Sequence, residues 1–418
     1  MKPFSQLNLA KAQSKEAISQ AKAVKRLMLA TAALLGSVVY VHADDTELVI
    51  HASHDTEQTK ETVIIPIIGA MESTGLLAGS VVAVTGLGQP QAQAVGFGAY
   101  SVNNSYISYL GYFNYALSAR WTFDISALQA DFTDTEMYLG EQPDDPIDVP
   151  GDASYLQRDW QMTFRYLINQ TPAKPVNTIT GVQAQPVTRV LEVEPFYKSR
   201  EFRSDNVANV AGETYGISVT LDQDARDYTP SPSRGYHSYA KVLRDWGGSE
   251  RASYTRWEVQ HSQYFDLGSN RINQQQTLSL TGYLSDIPTW QNDKAHRQPD
   301  WFAQSVLGGP DRMRGYGDNY MHDRSALFYG AELRMIPKWQ PQSRVPVLSR
   351  YDFPWWQTAV FAELGNVSDK LDFSALHNNM KWSAGVGIRV FIENIIARAD
   401  FGFSKDDSIF RFTVNQPF

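Results

Sequence analysis

The feature that most constrains this chain is a period-two alternation of apolar and polar residues, repeated along most of its length. Successive side chains on a β-strand point to opposite faces, so this pattern builds sheets with one apolar and one polar face. Trp121, Phe123 and Ile125 alternate with Thr122, Asp124 and Ser126; Trp160, Met162, Phe164 and Tyr166 alternate with Gln161, Thr163 and Arg165. Leu191 and Val193 flank Glu192, Trp257 and Val259 alternate with Arg256, Glu258 and Gln260, and Leu278, Leu280 and Leu284 alternate with Ser279, Thr281 and Ser285. Further on, Trp382, Ala384, Val386, Ile388 and Val390 alternate with Ser383, Gly385, Gly387 and Arg389. A soluble sandwich and a membrane barrel share this pattern and differ in which face meets water. In a barrel the polar positions line the lumen, where charges such as Glu192, Arg256 and Arg389 are tolerated.

Three other features favour the membrane. Lys2, Lys11, Lys15, Lys22, Lys25 and Arg26 form a basic leader, followed by an apolar run from Leu27 to Val41 and by Val41-His42-Ala43 before Asp44-Asp45. That order is the order of a secretory signal peptide, with cleavage expected after Ala43. The run has about 15 residues, short of the ~20 a spanning helix needs, so a retained anchor is the weaker alternative. Aromatics make up 12% of the chain, with 21 Tyr and 10 Trp, although the mean hydropathy is negative. Lipid-facing strand positions and interfacial aromatic girdles account for both. Finally, Phe410, Phe412, Val414 and Phe418 fall on one face of the last strand, and Arg411, Thr413 and Asn415 on the other. An alternating strand that stops on an aromatic is similar to the barrel-closing strand by which barrel proteins are recognised for assembly.

Several classes are excluded. Without cysteine there is no disulfide framework, thiolate metal site or Cys nucleophile. The net charge of −8 argues against a nucleic-acid partner. No segment after the leader is a continuous apolar helix, so helical spans are not expected. Long Pro-, Asp- and Gly-rich loops (Glu141 to Ser154, Asn169 to Pro186, Asp286 to Arg312, Trp339 to Pro354) alternate with tight turns such as Asp266 to Asn270. Long loops on one side and short turns on the other are expected of an outer-membrane barrel. At roughly 23 residues per strand and connection, the chain after Ala43 holds ~16 strands, an even number as bacterial barrels require. The expected organisation is a signal peptide over 1–43, a short periplasmic segment over 44–61 and one transmembrane antiparallel β-barrel over 62–418, in the cell outer membrane. The 44–61 segment is too short for a folded periplasmic domain.

A denser constellation lies near the C-terminus. Leu307-Gly308-Gly309-Pro310-Asp311-Arg312-Met313-Arg314-Gly315-Tyr316 is followed by Ala331-Glu332-Leu333-Arg334, then by Phe361-Ala362-Glu363-Leu364-Gly365, Gly385-Val386-Gly387-Ile388-Arg389 and Ala399-Asp400-Phe401-Gly402. Upstream, Leu221 to Asp227 with Ser233-Arg234-Gly235, and Ile65 to Gly69 with Thr74-Gly75-Leu76, complete an ordered series. This series resembles the BamA/TamA-type surface-antigen superfamily of outer-membrane barrels, in a member without periplasmic POTRA domains. Glu363 stands where that family usually carries Asp. The resemblance implies that the Arg314-Gly315-Tyr316 tip of an extracellular loop folds back into the lumen.

A guanidinium inside a narrow barrel requires an acidic partner, and Arg's planar fork suits a carboxylate. Glu363 and Asp400 fall on inward parity, so Arg314 is expected to pair with Glu363, with Asp400 nearby. Gly315 is expected to allow a tight turn and Tyr316 to pack on the inner wall. A purely structural bridge and a gating role are both open for this pair.

The resemblance implies work in outer-membrane biogenesis or transport without covalent chemistry, cofactor or metal. It would act through a seam between a first strand near Ile64 to Ser80 and the last strand. Expected partners are outer-membrane lipid and lipopolysaccharide, with unfolded outer-membrane proteins or a periplasmic partner as further candidates. The alternatives are a passive small-conductance pore or structural surface antigen and, more remotely, a lipid-active enzyme, for which no Ser-His triad can be assembled from adjacent strands. The acidic loop Asp144, Asp145, Asp148 and Asp152 reads as a solvated loop rather than a cation site, and the histidines show no metal-ligand spacing.

Overall fold

The computed structural model describes residues 61–71, 75–133, 153–171, 186–204, 210–248, 251–291, 298–344, 352–392, 395–414 and 416–418. The expected signal peptide, nearly all of the 44–61 segment and the acidic loop from Asp144 to Asp152 lie outside the described residues.

The strands are β1 (Glu61–Met71), β2 (Gly75–Thr85), β3 (Gln93–Ser101), β4 (Tyr106–Ala116), β5 (Trp121–Phe132), β6 (Ala153–Thr171), β7 (Val187–Ser204), β8 (Val210–Asp224) and β9 (Gly235–Asp245). They continue with β10 (Thr255–Gly268), β11 (Asn273–Asp286), β12 (Ser305–Leu307), β13 (Met321–Asp323), β14 (Ser325–Pro337), β15 (Trp355–Ser368), β16 (Lys381–Ile392), β17 (Ile395–Ser404) and β18 (Ser408–Val414). A one-turn helix, α1 (Phe373–His377), lies between β15 and β16. Sixteen strands form one antiparallel meander, in the order β1 to β11 and then β14 to β18, while β12 and β13 pair only with each other.

Side-chain polarity settles which face meets water. Large apolar residues of one parity are exposed: Trp160 (63%), Val360 (48%), Val386 (52%), Ile388 (53%) and Phe410 (55%). The opposite parity buries charge, with Arg334, Arg389 and Glu332 at 1% exposure or less. This inverts the usual arrangement of a soluble protein and is what a transmembrane β-barrel requires.

Three sequence expectations need correction. The run from Ile64 to Ser80 is not one strand: it belongs to β1 and β2, antiparallel partners in register from Glu61↔Thr85 to Met71↔Gly75. Both runs read as β, and only the pairing reveals the break between them. Long connections also do not gather at one end. Strand order puts the β5–β6 and β11–β14 connections at one end and the β6–β7 and β14–β15 connections at the other. Finally, the alternation weakens over the first hairpins, where the inner face is itself apolar. Leu77, Val81, Val95, Phe97, Ile107, Leu128 and Ala130 form one buried cluster there. Inner-face polar residues are sparse there, Gln93 and Ser101 on β3, and buried charge enters the lining with Asp124 on β5 and Asp159 on β6, on the same face as Thr163.

Candidate functional site: a loop locked in the lumen

The chain between β11 and β14 turns back into the barrel, and three sets of contacts pin it to different parts of the wall. At its start, Asp300 Oδ2 accepts from the Glu213 N–H on β8 (3.1 Å), and Arg200 of β7 lies 5.2 Å from the Phe302 ring. Arg256 of β10 donates to the Ala303 and Gln304 carbonyls at 3.2 and 2.8 Å. Midway, Arg312 donates to Tyr239 Oη and Gln260 Oε1, both at 2.9 Å, and stacks 3.9 Å over the Tyr283 ring. At the tip, Arg314 reaches β14, β15 and β17.

Arg314 is 1% exposed. Its backbone N–H and its Nε donate to the two Glu363 oxygens, both at 2.7 Å, a clamp of main chain and side chain on one carboxylate. Its Nη1 donates to Glu332 Oε2 at 2.6 Å and lies 3.4 Å from Asp400 Oδ2. The guanidinium sits 3.5 Å over the Phe361 ring, so the aromatic face adds to the carboxylates in replacing water. The structure therefore brings Arg314, Glu363 and Asp400 together, and it adds Glu332, whose Glu-Leu-Arg motif alone does not point to a partner.

Glu332 is the centre of the knot. Its Oε1 accepts from Arg334 Nε at 2.7 Å, and its Oε2 accepts from Arg314 and also from Arg389 Nη2 at 2.9 Å. Arg398 donates to Thr413 Oγ1 (2.6 Å), to the Pro310 carbonyl (3.0 Å) and to Asp311 Oδ1 (3.0 Å), which ties the base of the loop tip to β17 and β18. Arg411 of β18 donates to the Arg314 and Tyr316 carbonyls at 2.7 and 2.6 Å. Four buried arginines thus face three buried carboxylates: Glu363 is held by Arg314 alone, while Glu332 and Asp400 are each shared among three of the arginines, which spreads the charge over the cluster.

The left-handed backbone at the tip falls on Met313 (φ 58°), not on Gly315. Gly315 serves close approach instead: its N–H donates to Ser383 Oγ at 2.7 Å, and a Cβ there would lie 2.5 Å from the Phe403 carbonyl oxygen. The wall glycines do the same from the other side. A Cβ on Gly402 would lie 2.5 Å from the Arg314 carbonyl oxygen, and one on Gly365 would lie 3.0 Å from Met313 Sδ. Because the obstacle at Gly402 is backbone, Gly402→Val is expected to lift the tip off β17 and to lower stability by about 1–3 kcal/mol, the usual range for overpacking. A urea-unfolding midpoint unchanged from wild type would show that the tip does not need that space.

Tyr316 is buried with Leu307, Met313, Met321, Phe328 and Phe418, and its ring lies 4.8 Å from that of Tyr320. Phe418 is the second correction at this site. Phe410 and Phe412 lie on the outer side of β18, but β18 ends at Val414 and Phe418 is turned into the lumen, 8% exposed. Its carbonyl oxygen accepts from Arg334 Nη2 at 3.1 Å, and Gln416 accepts from Arg389 Nε at 2.9 Å. Alternation could not reveal this, because it presumes that the strand continues to the last residue.

Ser238 and His261 are hydrogen-bonded across β9 and β10 on the outer wall (2.7 Å). Among the described residues no carboxylate or amide hydrogen-bonds the other ring nitrogen, and no group of three His, Cys, Asp or Glu is placed to hold a metal. No helix among the described residues is long and apolar enough to cross a membrane, which says nothing about crossing by strands.

Among curated proteins, none matches this sequence. Solved structures with similar folds include BamA from Haemophilus ducreyi lacking POTRA domains 1–3, with a TM-score of 0.51 and 10% identity over 86% of this chain and 70% of that one. CdiB from Escherichia coli gives 0.56 and 13%, over 85% of this chain and 61% of its own, and CdiB from Acinetobacter baumannii gives 0.50 and 10%, over 85% and 59%. At these identities the likeness is one of fold, and this chain spans less than two thirds of either CdiB chain. The model of the Omp85 superfamily domain matches residues 151–418, more than half of the sequence and the part that contains the whole loop and its wall. On that match the chain belongs to the Omp85 superfamily.

Proposed function

We propose that this chain is an outer-membrane barrel that helps insert or move polypeptides, by offering a strand edge at its seam and without covalent chemistry. The observation that carries this reading is how the last strand is seated. Among the described residues no ladder joins β18 to β1, and β18, at seven residues, is the shortest strand of the meander. Phe412 belongs to the outer face of β18, yet it packs against the buried inner-face cluster of β2 to β5. An outer-face side chain meets an inner-face cluster where the two edges of a sheet overlap. A short last strand that packs by its side chains across the overlap offers little length for pairing with β1, and opening this seam would release two strand edges for an incoming chain. The locked loop supports the same reading, since it fills the lumen and disfavours a wide pore.

The test is photo-crosslinking in cells from probes at Phe410 and at Ile64, the latter 65% exposed on β1. Capture of unfolded outer-membrane proteins from both positions is the expected result and would name the clients. Capture of lipid alone, together with ion conductance in planar bilayers, would make the protein a passive pore on this fold.

A further inference from the structure

The β15–β16 connection leaves the barrel at the end where the Arg314 loop enters, since strand order puts both there. Instead of projecting into solvent it folds back onto the outer wall. Asn366, on the outer face of β15, donates to the Ala375 and Asn378 carbonyls at 3.3 and 2.9 Å, and Leu376 of α1 is fully buried. His377 Nε2 lies 3.1 Å from the hydroxyl of Tyr329, an outer-face residue of β14.

From Tyr329 a row of rings runs outward. The His377 ring lies 5.9 Å from that of Tyr329, and Phe373 stacks on His377 at 6.0 Å with 21° between planes. The row ends on Phe373, 61% exposed, beside Leu371, 40% exposed. Below it, Leu364 and Trp382 pair across β15 and β16, each 46% exposed on the lipid-facing wall. The apolar surface is therefore continuous from the barrel wall onto the loop. Asp372, between the two exposed apolar residues, caps α1, and the Ala375 N–H holds its carboxyl below the usual carboxylate range, so it stays ionised. Apolar residues bracketing a charge suit the boundary between acyl chains and headgroups.

We propose that the β15–β16 connection is a membrane-seated elbow, with Leu371 and Phe373 entering the acyl region of the adjacent leaflet and extending the lipid-facing wall past the ends of β15 and β16. The occupant is lipid because the patch continues a surface that already faces lipid. A second copy or another protein would need to displace lipid from the same wall.

The absence of cysteine makes the test clean. Ser374→Cys, which leaves Phe373 and Leu371 intact, takes one environment-sensitive fluorophore in proteoliposomes of phosphatidylcholine doped with acyl-chain nitroxide lipid. Lys405→Cys, in the exposed β17–β18 turn at the same end, is the aqueous reference, and Phe410→Cys is the lipid reference. The expected result is quenching at 374 by nitroxide lipid several-fold stronger than at 405, with weak quenching by iodide. Adding Leu371→Ser and Phe373→Ser should move the 374 probe to the 405 pattern while heat-modifiable gel mobility stays that of a folded barrel. A 374 probe that follows 405 before those changes would overturn the proposal. Shielding from both quenchers would overturn it too, and would indicate protein contact instead.

Discussion

Glu332→Gln is expected to destabilise the barrel by about 3–5 kcal/mol, the range for removing one partner of a buried ion pair. Glutamine keeps the volume, so the effect isolates charge. Three guanidiniums, those of Arg314, Arg334 and Arg389, donate to this one carboxylate, which is fully buried. Without it, four buried arginines would share Glu363 and Asp400. The cluster is buried from solvent, and the cost falls on the folded state alone. Urea unfolding in detergent or lipid would measure it. In a double-mutant cycle, Glu332→Gln with Arg389→Gln should be less destabilised than the sum of the single changes, because each removes the other's unpaired charge. A Glu332→Gln barrel within 1 kcal/mol of wild type would show that the three arginines do not depend on that carboxylate.

The second large effect is expected at the loop itself. Arg314→Ala deletes the side-chain donors to Glu363 and Glu332 and the cation above Phe361, and it leaves the Glu363 carboxylate with neutral donors alone, the residue 314 backbone N–H at 2.7 Å and the Ser383 hydroxyl. A loss of about 3–5 kcal/mol is again expected from an uncompensated buried charge. Here the loss need not unfold the barrel, because the tip can leave the wall and admit water. Ser383, 1% exposed beneath Gly315, reports that directly. Ser383→Cys should react slowly with a maleimide in the otherwise unchanged protein and at least tenfold faster when Arg314 is alanine. Arg314→Lys should lie between the two, because a single ammonium cannot occupy the planar fork between two carboxylates. Equal labelling rates in all three would mean that the tip is held by its apolar contacts, Met313 and Tyr316 with Phe328 and Phe418.

The two predictions differ for a reason that also marks what could be read in advance. Facing is a local property. Alternation along β15 and β17 puts Glu363 and Asp400 on one side of the wall and Val360, Leu364 and Phe401 on the other, and no knowledge of the fold is needed to see it. The number of strands followed instead from chain length, the inversion of polarity from the leader, the aromatic load and the last strand, and the candidate loop arginine from the family resemblance of its motif. Which inner-face carboxylates meet Arg314 is not local. Glu332 and Arg314 are 18 residues apart, Glu363 and Arg314 are 49 apart, and Asp400 and Arg314 are 86 apart. Their convergence depends on the registers of β14 through β17 and on where the loop crosses the lumen.

The sequence by itself therefore determined the strand period, the sidedness of the alternating strands that follow the first hairpins and the residue types available to the lumen there, because these follow from backbone geometry two residues at a time. Only the tertiary structure decided that Glu332 rather than Glu363 carries the most arginines and that Gly315 is needed for space rather than for a turn. It also decided that the final aromatic sits inside the barrel, because β18 stops at Val414 and Arg334 and the Tyr316 cluster are positioned to receive Phe418. Each of these is a matter of distance between segments far apart in the chain. Strand period carries no information about that distance until pairing and closure have fixed it.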